Sequence, residues 1–443
     1  METNINLIEL DQNSLTDLRA FAKNTLGLAD ISNCRKAELI TRIQKALKEE
    51  SDKAAAPAEP RDEAAPEDNS NTSPADGILD IMQDGFGFLR PQNCYISEKD
   101  VYVSSTFIRR AGLRPGDRIK GFARPLHEGE KHPSLCRIET INGRSYESSR
   151  RRPRFASLVP IYPDSRLKLE PAEGNGSTSA RMIDLLAPIG KGQRGLIVSP
   201  PKAGKTTLLK QIANGITQNH PEVKLFILLI DERPEEVTDM QRSTKADVIF
   251  STFDEHPEHH TKVAETMLEH SKRLVESGED VVILLDSITR LARSYNLTVP
   301  PSGRTLSGGL DPAALFQPKA FFGAARNIEH GGSLTVIATA LVDTGSKMDD
   351  VIYEEFKGTG NMEIHLSRRL SERRIFPAID PARSGTRRDD LLLSKTEYDA
   401  MNNVRRNLAE SKNERASELI INTFASAKTN AQLITALTEK GKQ

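Results

Sequence analysis

The chain has 443 residues, and its 61 Lys and Arg residues almost balance 62 Asp and Glu residues, which leaves a net charge of −1. A chain of this length exceeds a single hydrophobic core and predicts several domains. No apolar run approaches the roughly 20 residues of a membrane helix, and three scattered cysteines indicate neither a disulfide framework nor a structural zinc site. We therefore expect a cytoplasmic protein without a membrane partner.

Two dissimilar segments come first along the chain. Residues 1–50 show apolar positions at helical spacing and predict a small helical unit. Residues 51–76 hold seven acidic and two basic side chains among many Ala and Pro residues. Because this segment has no larger apolar side chain to bury, we predict a disordered, extended linker.

Residues 77–152 consist of short runs punctuated by glycine and aromatic residues, which predict the five strands of a small barrel. The charge balance reverses here, with fifteen basic and nine acidic side chains over 77–154. Local charge decides where a polyanion binds, so this region is the candidate for a nucleic-acid partner.

The run GFGFLR places Phe86 and Phe88 two residues apart, hence on one strand face, beside Arg90. Nucleic-acid bases could stack on these rings, or the rings could fill the barrel core. The binding interpretation is favoured by three further side chains, Tyr102, Arg109 and Arg110.

After a connector at 153–178, apolar strands alternate with helical stretches over residues 179–390, which predicts an α/β domain with a mostly parallel, covered sheet. Residues 391–443 predict a helical region. Within the α/β domain, SPPKAGKTT at 199–207, called the phosphate loop below, lies between a predicted strand and a predicted helix. Loops of this kind bind ATP or GTP: Lys205 reaches the phosphates and the Thr206 hydroxyl holds Mg²⁺. Ser199 departs from the pattern, since a glycine usually begins this loop.

Two acidic residues follow predicted strands, where a parallel sheet presents its catalytic groups. Asp286 ends VVILLD and is expected to support the metal ion, and Glu232 follows LFILLID and could polarise the attacking water. Asp231 is the competing candidate for that base. All three could instead be solvated strand ends.

Other candidates remain open. An arginine from a neighbouring subunit often completes phosphoryl transfer, but the arginine-rich segment at 365–388 does not show which one. Two Gly-rich segments, around 299–311 and 342–350, predict either mobile loops carrying Arg304 and Lys347 or plain surface turns. The cluster DEHPEHH at 254–260 lacks metal-ligand spacing, and we expect Pro257 to interrupt a helix there.

Over residues 77–390 the chain resembles the Rho family of bacterial transcription termination factors, through DGFGFLR, PPKAGKT, LLIDERPEEVT, ILLDSITRLAR, FFGAARN, DTGSKMD and YEEFKGTGNMEIHLSR with RSGTR. The resemblance implies a RecA-like P-loop ATPase domain, preceded by an OB-fold or cold-shock-like barrel and a short N-terminal helical unit. It also implies an RNA-dependent ATPase with 5′–3′ helicase activity. Such a homohexameric ring translocates on pyrimidine-rich single-stranded RNA and terminates transcription with RNA polymerase and elongation factors as partners.

The resemblance also implies residue roles. Glu232 would activate water, Asp286 and Thr206 would serve Mg²⁺, and Arg387 would be the finger inserted into the neighbouring subunit. ATP would contact Pro201, Lys202, Ala203, Gly204, Lys205, Thr206, Thr207, Arg233, Arg374 and Phe376. RNA would contact Phe86, Phe88, Arg90, Tyr102 and Glu130 in the barrel, and Arg304 and Lys347 in the pore. The pattern of the barrel sequence adds Arg109 and Arg110 to the RNA contacts. His132 departs from the tyrosine that the family often has, which puts base preference in doubt.

Three alternatives remain open: a rotary or export ATPase that needs no RNA, a DNA recombinase, and a non-catalytic RNA chaperone. The basic, aromatic barrel is the feature that speaks against the export ATPase. Glu232 and Asp286 speak against the chaperone. A recombinase would require DNA for stimulation of its turnover.

Overall fold

The computed structural model describes residues 72–440 except 92, 94, 128, 173, 175, 412 and 413, together with positions 18, 22, 36, 39, 40, 41 and 43. The chain divides into two compact units, Met1–Ser70 and Asn71–Gln443. In the first unit the described positions are all helical, and Leu18, Leu39 and Ile43 are fully buried. The predicted linker lies outside the described residues up to position 71.

A closed barrel begins the second unit. Its strands are β1 Ser73–Ile81, β2 Gly87–Arg90, β3 Val101–Val103, β4 Arg118–Arg124, β5 Ser134–Ile141 and β6 Arg144–Ser145, with helices α1 Ser105–Ala111 and α2 Tyr146–Ser149. The sheet order is β3-β2-β1-β4-β5-β6, and β3 also pairs with β5, which closes the barrel. Its core is apolar, with Leu79, Leu89 and Ile119 almost completely buried.

The first barrel strand starts four residues earlier than the barrel predicted from residue 77. Ser73 to Ile78 pair with β4, and Ala75 is buried against it. Ser73, Pro74, Ala75 and Asp76 include no large apolar side chain, so their sequence carries no alternation of apolar and polar residues. Their strand conformation comes from backbone pairing with β4.

The α/β domain contains a nine-stranded sheet. Its strands are β7 Pro160–Ile161, β8 Arg194–Ser199, β9 Lys224–Glu232, β10 Asp247–Thr252, β11 Asp280–Asp286, β12 Arg326–Ile328, β13 Ser333–Leu341, β14 Met362–His365 and β15 Gly385–Thr386. The order is β10-β9-β11-β13-β8-β14-β15, with β12 beside β13 and β7 beside β12. The first six strands in this order, β10, β9, β11, β13, β8 and β14, run parallel to one another. The sequence predicted such a mostly parallel sheet.

Helices cover both faces of this sheet. They are α3 Thr178–Leu186, α4 Lys205–Asn219, α5 Pro234–Ser243, α6 Pro257–Glu276, α7 Ile288–Thr298, α8 Phe316–Gly323, α9 Lys347–Lys357 and α10 Arg368–Glu372. One apolar core lies on each face, and central strands such as β11 contribute to both. Because the central strands are covered on both faces, the polar groups near them collect at the strand ends.

The carboxyl-terminal helices are α11 Lys395–Ser411, α12 Glu414–Ser426 and α13 Asn430–Lys440. They agree with the helical region predicted from residue 391. Phe424 and Leu433 extend the core on one sheet face. None of the helices in the described part of the chain is long and apolar enough to cross a membrane.

The barrel packs directly on α6 of the α/β domain. A Cβ atom on Gly116 would lie 2.4 Å from the Glu269 backbone, so only glycine permits this approach. Beside it, Glu276 accepts from Arg114 at 2.9 Å and from the Phe155 backbone N–H at 2.7 Å. Buried polar groups that are satisfied in this way fix one arrangement of the two domains.

Candidate functional site

The phosphate loop joins β8 to α4 through two residues in the left-handed backbone region, Lys202 with φ 64° and Gly204 with φ 91°. The turn delivers the chain to the N-terminus of α4, where free N–H groups and the helix dipole favour phosphate. Ser199 is fully buried, and its hydroxyl donates to the Pro200 carbonyl at 2.8 Å. The serine therefore occupies the usual glycine position without projecting from the loop.

The other loop residues predicted to contact nucleotide differ in accessibility. Ala203 is buried beneath the loop. The accessible members are Pro201, Lys202 and Thr207, which are exposed, and Gly204, Lys205 and Thr206, which are half-buried.

The two predicted catalytic carboxylates flank Lys205 at the carboxyl ends of β9 and β11. Lys205 Nζ lies 2.6 Å from Asp286 Oδ1 and 3.9 Å from Glu232 Oε2. Thr339 also donates to Asp286 Oδ1 at 2.7 Å. Only 1% of Asp286 and 2% of Glu232 is exposed. The parallel sheet thus brings together two acids that are 54 residues apart in the chain.

Glu232 has the perturbed acidity of a proton acceptor. Burial, and next the negative charge of Asp286, raise its pKa to about 7, against the opposing effect of Lys205. Its Oε2 atom is buried without a hydrogen-bond partner among the described residues. A general base works best with a pKa near the working pH, so these properties suit Glu232 for activating water.

Asp231 does not share this environment. Its side chain is 37% exposed, and its nearest cation is Arg290 at 3.8 Å. Arg290 also approaches Glu232 Oε1 at 3.7 Å. Arg290 was not among the residues predicted from the sequence. Its position four residues after Asp286, in the first turn of α7, could have indicated that it lies near the strand-end carboxylates.

Phe376 lies beside the phosphate loop, because its ring is 3.8 Å from the Cβ position of Gly204. The side chain is 51% exposed, which leaves a ring face for a ligand to stack on. Arg233 and Arg374 are also exposed, the first at the N-terminal end of α5 and the second just before Phe376.

Arg387 lies at the opposite edge of the sheet from the phosphate loop. Its backbone N–H donates to the Asn361 carbonyl, and the Asn361 N–H donates to the Arg194 carbonyl. Arg194 and Ser199 are the first and last residues of β8, about 17 Å apart at the usual strand rise. The exposed Arg387 is therefore remote from the phosphate loop of its own chain.

The two Gly-rich segments meet in space. A Cβ atom on Gly308 would lie 2.5 Å from the Met348 nitrogen, so the first segment crosses the start of α9 at a glycine with positive φ. Arg304 and Lys347 are both exposed on these segments. Arg293 supports the second segment through buried Asp349 at 2.6 Å, and Thr344 donates to the same carboxylate at 2.6 Å.

The barrel presents an aromatic face made by Phe86, Phe88 and Tyr102, with ring centres 5.8–5.9 Å apart. All three rings are half-buried and stand outside the barrel core. His132 packs edge-on against Phe88 at 5.3 Å, and Arg109 and Arg110 are exposed on α1. Phe86 and Phe88 therefore do not belong to the barrel core, and the stacking of bases on them stays a prediction.

Arg90 and Glu130, both predicted to contact RNA, are each paired with side chains of the barrel. Arg90 is only 5% exposed; it pairs with Asp100, lies 3.2 Å from Asp80 and supports the Phe88 ring at 5.0 Å. Arg90 therefore lies behind the Phe88 ring, and its contact with RNA stays a prediction. The exposed Glu130 binds Arg124 through both oxygens at 2.6 and 2.9 Å, which lowers its pKa to about 2.

The acidic and histidine-rich segment at 254–260 contains a helix start. Pro257 is the first residue of α6 and does not interrupt it, because proline is tolerated in a first turn. No group of three or more potential metal-ligating side chains occurs among the residues that the structure describes.

Comparison with known proteins gives a match for each domain. The model of the ATP synthase alpha/beta family, nucleotide-binding domain, matches residues 179–386, and that of the Rho termination factor, RNA-binding domain, matches residues 75–147. The chain is 57% identical to transcription termination factor Rho of Bacillus subtilis (strain 168) over 369 residues, which cover 83% of this chain and 86% of the relative. It is 50% identical to Rho of Escherichia coli (strain K12) over 431 residues, 96% of this chain and 98% of the relative.

Solved structures match the architecture more distantly. A prototypical ATPase from the type III secretion system of pathogenic bacteria superposes with a TM-score of 0.53 at 22% identity, covering 71% of this chain and 94% of that one. The type III secretion ATPase EscN of enteropathogenic E. coli gives 0.54 at 22% identity, covering 71% and 79%. Together with the two domain matches, these likenesses confirm the predicted fold, a RecA-like ATPase domain behind a small barrel.

Proposed function

This chain belongs to the family of transcription termination factor Rho, and we propose that it couples ATP hydrolysis to movement along RNA and so terminates transcription. The observation that carries the proposal is the joining of two sites in one unit. A solvent-facing aromatic surface on a basic barrel is packed against a domain whose phosphate loop faces a buried carboxylate of raised pKa. An export ATPase of the same fold would not need the first of these sites.

Hydrolysis follows from the geometry at the strand ends. The phosphate loop and α4 bind the phosphates, and Lys205 contributes positive charge to the outer ones. Glu232 Oε2 accepts a proton from the attacking water as the water oxygen bonds to the γ-phosphorus. The bond from the γ-phosphorus to the bridging β-phosphate oxygen breaks, and ADP leaves with that oxygen. Burial keeps that carboxylate out of bulk solvent, and Phe376, Arg233 and Arg374 complete the ATP site.

The residues present fit a magnesium ion. Thr206 and Asp286 supply the hard oxygen ligands that this ion prefers. Among the described residues the buried Oε2 atom of Glu232 has no hydrogen-bond partner, so the site has acceptor capacity to spare. Thr206 would hold the ion and Asp286 would support it. When bound, Mg²⁺ neutralises the negative charge that develops on the phosphates.

The position of Arg387 supports a ring of subunits. Because this side chain is remote from its own phosphate loop, it can serve phosphoryl transfer only at the site of another copy. The proposed assembly is a homohexamer in which Arg387 completes the neighbouring ATP site. Arg304 and Lys347 would then grip RNA in the central pore.

The aromatic face is the proposed entry site for RNA. Single-stranded, pyrimidine-rich RNA would stack on Phe86, Phe88 and Tyr102, while Arg109 and Arg110 neutralise phosphates. The same proposal makes RNA polymerase and elongation factors the expected protein partners, and the cytoplasm the expected location.

The test is steady-state ATP hydrolysis by the full chain alone, with a cytosine-rich RNA, and with a matched double-stranded DNA. Strong stimulation by the RNA only supports an RNA-driven motor. Equal turnover in all three reactions supports an export-type ATPase, and stimulation by DNA supports a recombinase. If Glu232→Gln leaves hydrolysis intact, Glu232 is not the base.

A further inference from the structure

Asn93 and Tyr95 lie between the two strands of the aromatic face and contact the edge of the ATPase sheet. Residues 91–100 connect β2, which carries Phe88, to β3, which carries Tyr102. Within this segment, the Asn93 amide nitrogen donates to the Phe250 carbonyl at 2.7 Å, and its oxygen accepts from the Phe250 N–H at 2.8 Å. One side chain thus satisfies both backbone groups of a residue in edge strand β10.

Tyr95 adds a second contact from the same segment. Its hydroxyl lies 2.8 Å from the Phe250 carbonyl oxygen and 2.8 Å from each carboxylate oxygen of Glu255. The Glu255 carboxylate also accepts from the Ser251 hydroxyl at 3.1 Å and from the Thr252 hydroxyl at 3.2 Å. Burial opposes the ionised form, but these hydrogen bonds outweigh it and lower the pKa of Glu255.

Glu255 holds the end of β10 at an irregularity in the sheet. The pairing of β10 with β9 shifts register between Ser251 and Thr252, and Thr252 then pairs with Glu232. The Phe253 N–H donates to the Glu232 carbonyl at 3.1 Å. Bulges next to active sites commonly re-aim a side chain, and this one lies beside the candidate base.

We propose that Tyr95 and Glu255 are positioning residues. Through them, RNA bound to the barrel sets the orientation of the Glu232 side chain and thereby raises the rate of ATP hydrolysis. The inference rests on the proposed function and deepens it. RNA that stacks on Phe88 and Tyr102 contacts strands β2 and β3. Tyr95 lies between these strands in the chain and contacts Glu255. The two sites are therefore joined by one hydrogen-bonded path that ends at the backbone of Glu232.

Tyr95→Phe in the full chain tests this path, because it removes one hydroxyl and keeps the ring. The readouts are the ratio of RNA-stimulated to basal kcat, the KM for ATP, and the affinity for a cytosine-rich RNA. We expect the ratio to fall about fivefold or more, the lower end of typical coupling between sites. The KM and the RNA affinity should stay near wild type, since Tyr95 lies in neither site.

Arg144→Gln is the matched control. It removes another contact between barrel and ATPase domain, the exposed Arg144–Glu279 pair at 4.0 Å, which does not involve β10. The stimulation ratio of this variant should match that of wild type. In addition, Tyr95→Phe combined with Glu255→Gln should be no worse than the more damaging single change, because residues on one path are not additive.

The outcomes separate the two proposals. If wild type responds to RNA and Tyr95→Phe responds equally, the path is refuted while the proposed function stands. A parallel fall of basal and stimulated turnover in Tyr95→Phe would also refute it, because that is a loss of structure without a loss of coupling. If RNA does not stimulate ATP hydrolysis by the wild-type chain at all, both the proposed function and this inference are refuted.

Discussion

The nucleotide site and the barrel handle charge in opposite ways. At the nucleotide site, Glu232 and Asp286 are almost fully buried, and Lys205 lies between them. On the barrel, the aromatic face is half-buried and its neighbours Arg109 and Arg110 are exposed. Chemistry on phosphate benefits from removing water, which strengthens each electrostatic interaction, whereas capture of a long polyanion needs surface that the polymer can reach.

The same contrast separates arginines that look alike in sequence. Arg90 is enclosed by Asp80 and Asp100, and the side chain of Lys262 from α6 also reaches Asp80, at 2.7 Å. Arg387 is exposed at the far edge of the sheet. The first is held by ion pairs inside the barrel, and the second is accessible to a partner. Burial, and not residue type, assigns the role.

The largest effect is expected for Arg387→Ala, which tests whether an exposed arginine can serve a buried site in another subunit. Turnover should fall by about 10³-fold or more, because an arginine finger stabilises the charge of the transition state. ATP binding should stay close to wild type. Steady-state hydrolysis and equilibrium ATP binding measure the two quantities.

A control variant and a mixture of two variants test whether the effect is specific to Arg387 and acts between subunits. Arg388→Gln, at the neighbouring residue that pairs with Asp390, should leave turnover near wild type. Mixing Arg387→Ala with Lys205→Ala subunits should restore part of the activity, because an intact finger then meets an intact site. A mixture as inactive as its components would contradict action across subunits.

A smaller effect is expected from pH, which tests the burial of Glu232. The base must be ionised, and its pKa is raised to about 7, so kcat/KM should fall as pH drops through that value, approaching about tenfold per pH unit. The pH profile of RNA-stimulated hydrolysis measures this. Glu232→Gln should lower turnover by about 10²–10⁴-fold and abolish the acid limb. A limb that persists in this variant would belong to another group.

The smallest effect is expected on the barrel, where Phe88→Ala tests whether the half-buried aromatic rings bind bases. Loss of one stacking ring should weaken RNA affinity by about 1–3 kcal/mol. Phe122→Ala is the control, since Phe122 is equally half-buried on the barrel but packs under Arg137. Fluorescence anisotropy with a cytosine-rich RNA gives both affinities. Equal weakening by the two changes would point to lost barrel stability and against stacking.

Much of the architecture could be predicted from local patterns. The phosphate loop, the parallel strands that end at Glu232 and Asp286, and the carboxyl-terminal helices all lie where the sequence placed them. Strand β1 was predicted to start too late, because Ser73 to Asp76 carry no apolar alternation and depend on pairing with β4. Pro257 was also misinterpreted, because proline breaks a helix in its interior but is tolerated in the first turn, where Pro257 lies.

The sequence by itself determined which chemistry the chain can perform, because a phosphate loop and acids at strand ends are local patterns whose geometry follows from strand and helix periodicity. Only the tertiary structure decided which of the charged side chains are free to act. It buried Arg90, enclosed Glu232, exposed Arg387 and tied Tyr95 to Glu255. Burial and pairing depend on neighbours far apart in the chain, and no short window of sequence contains them.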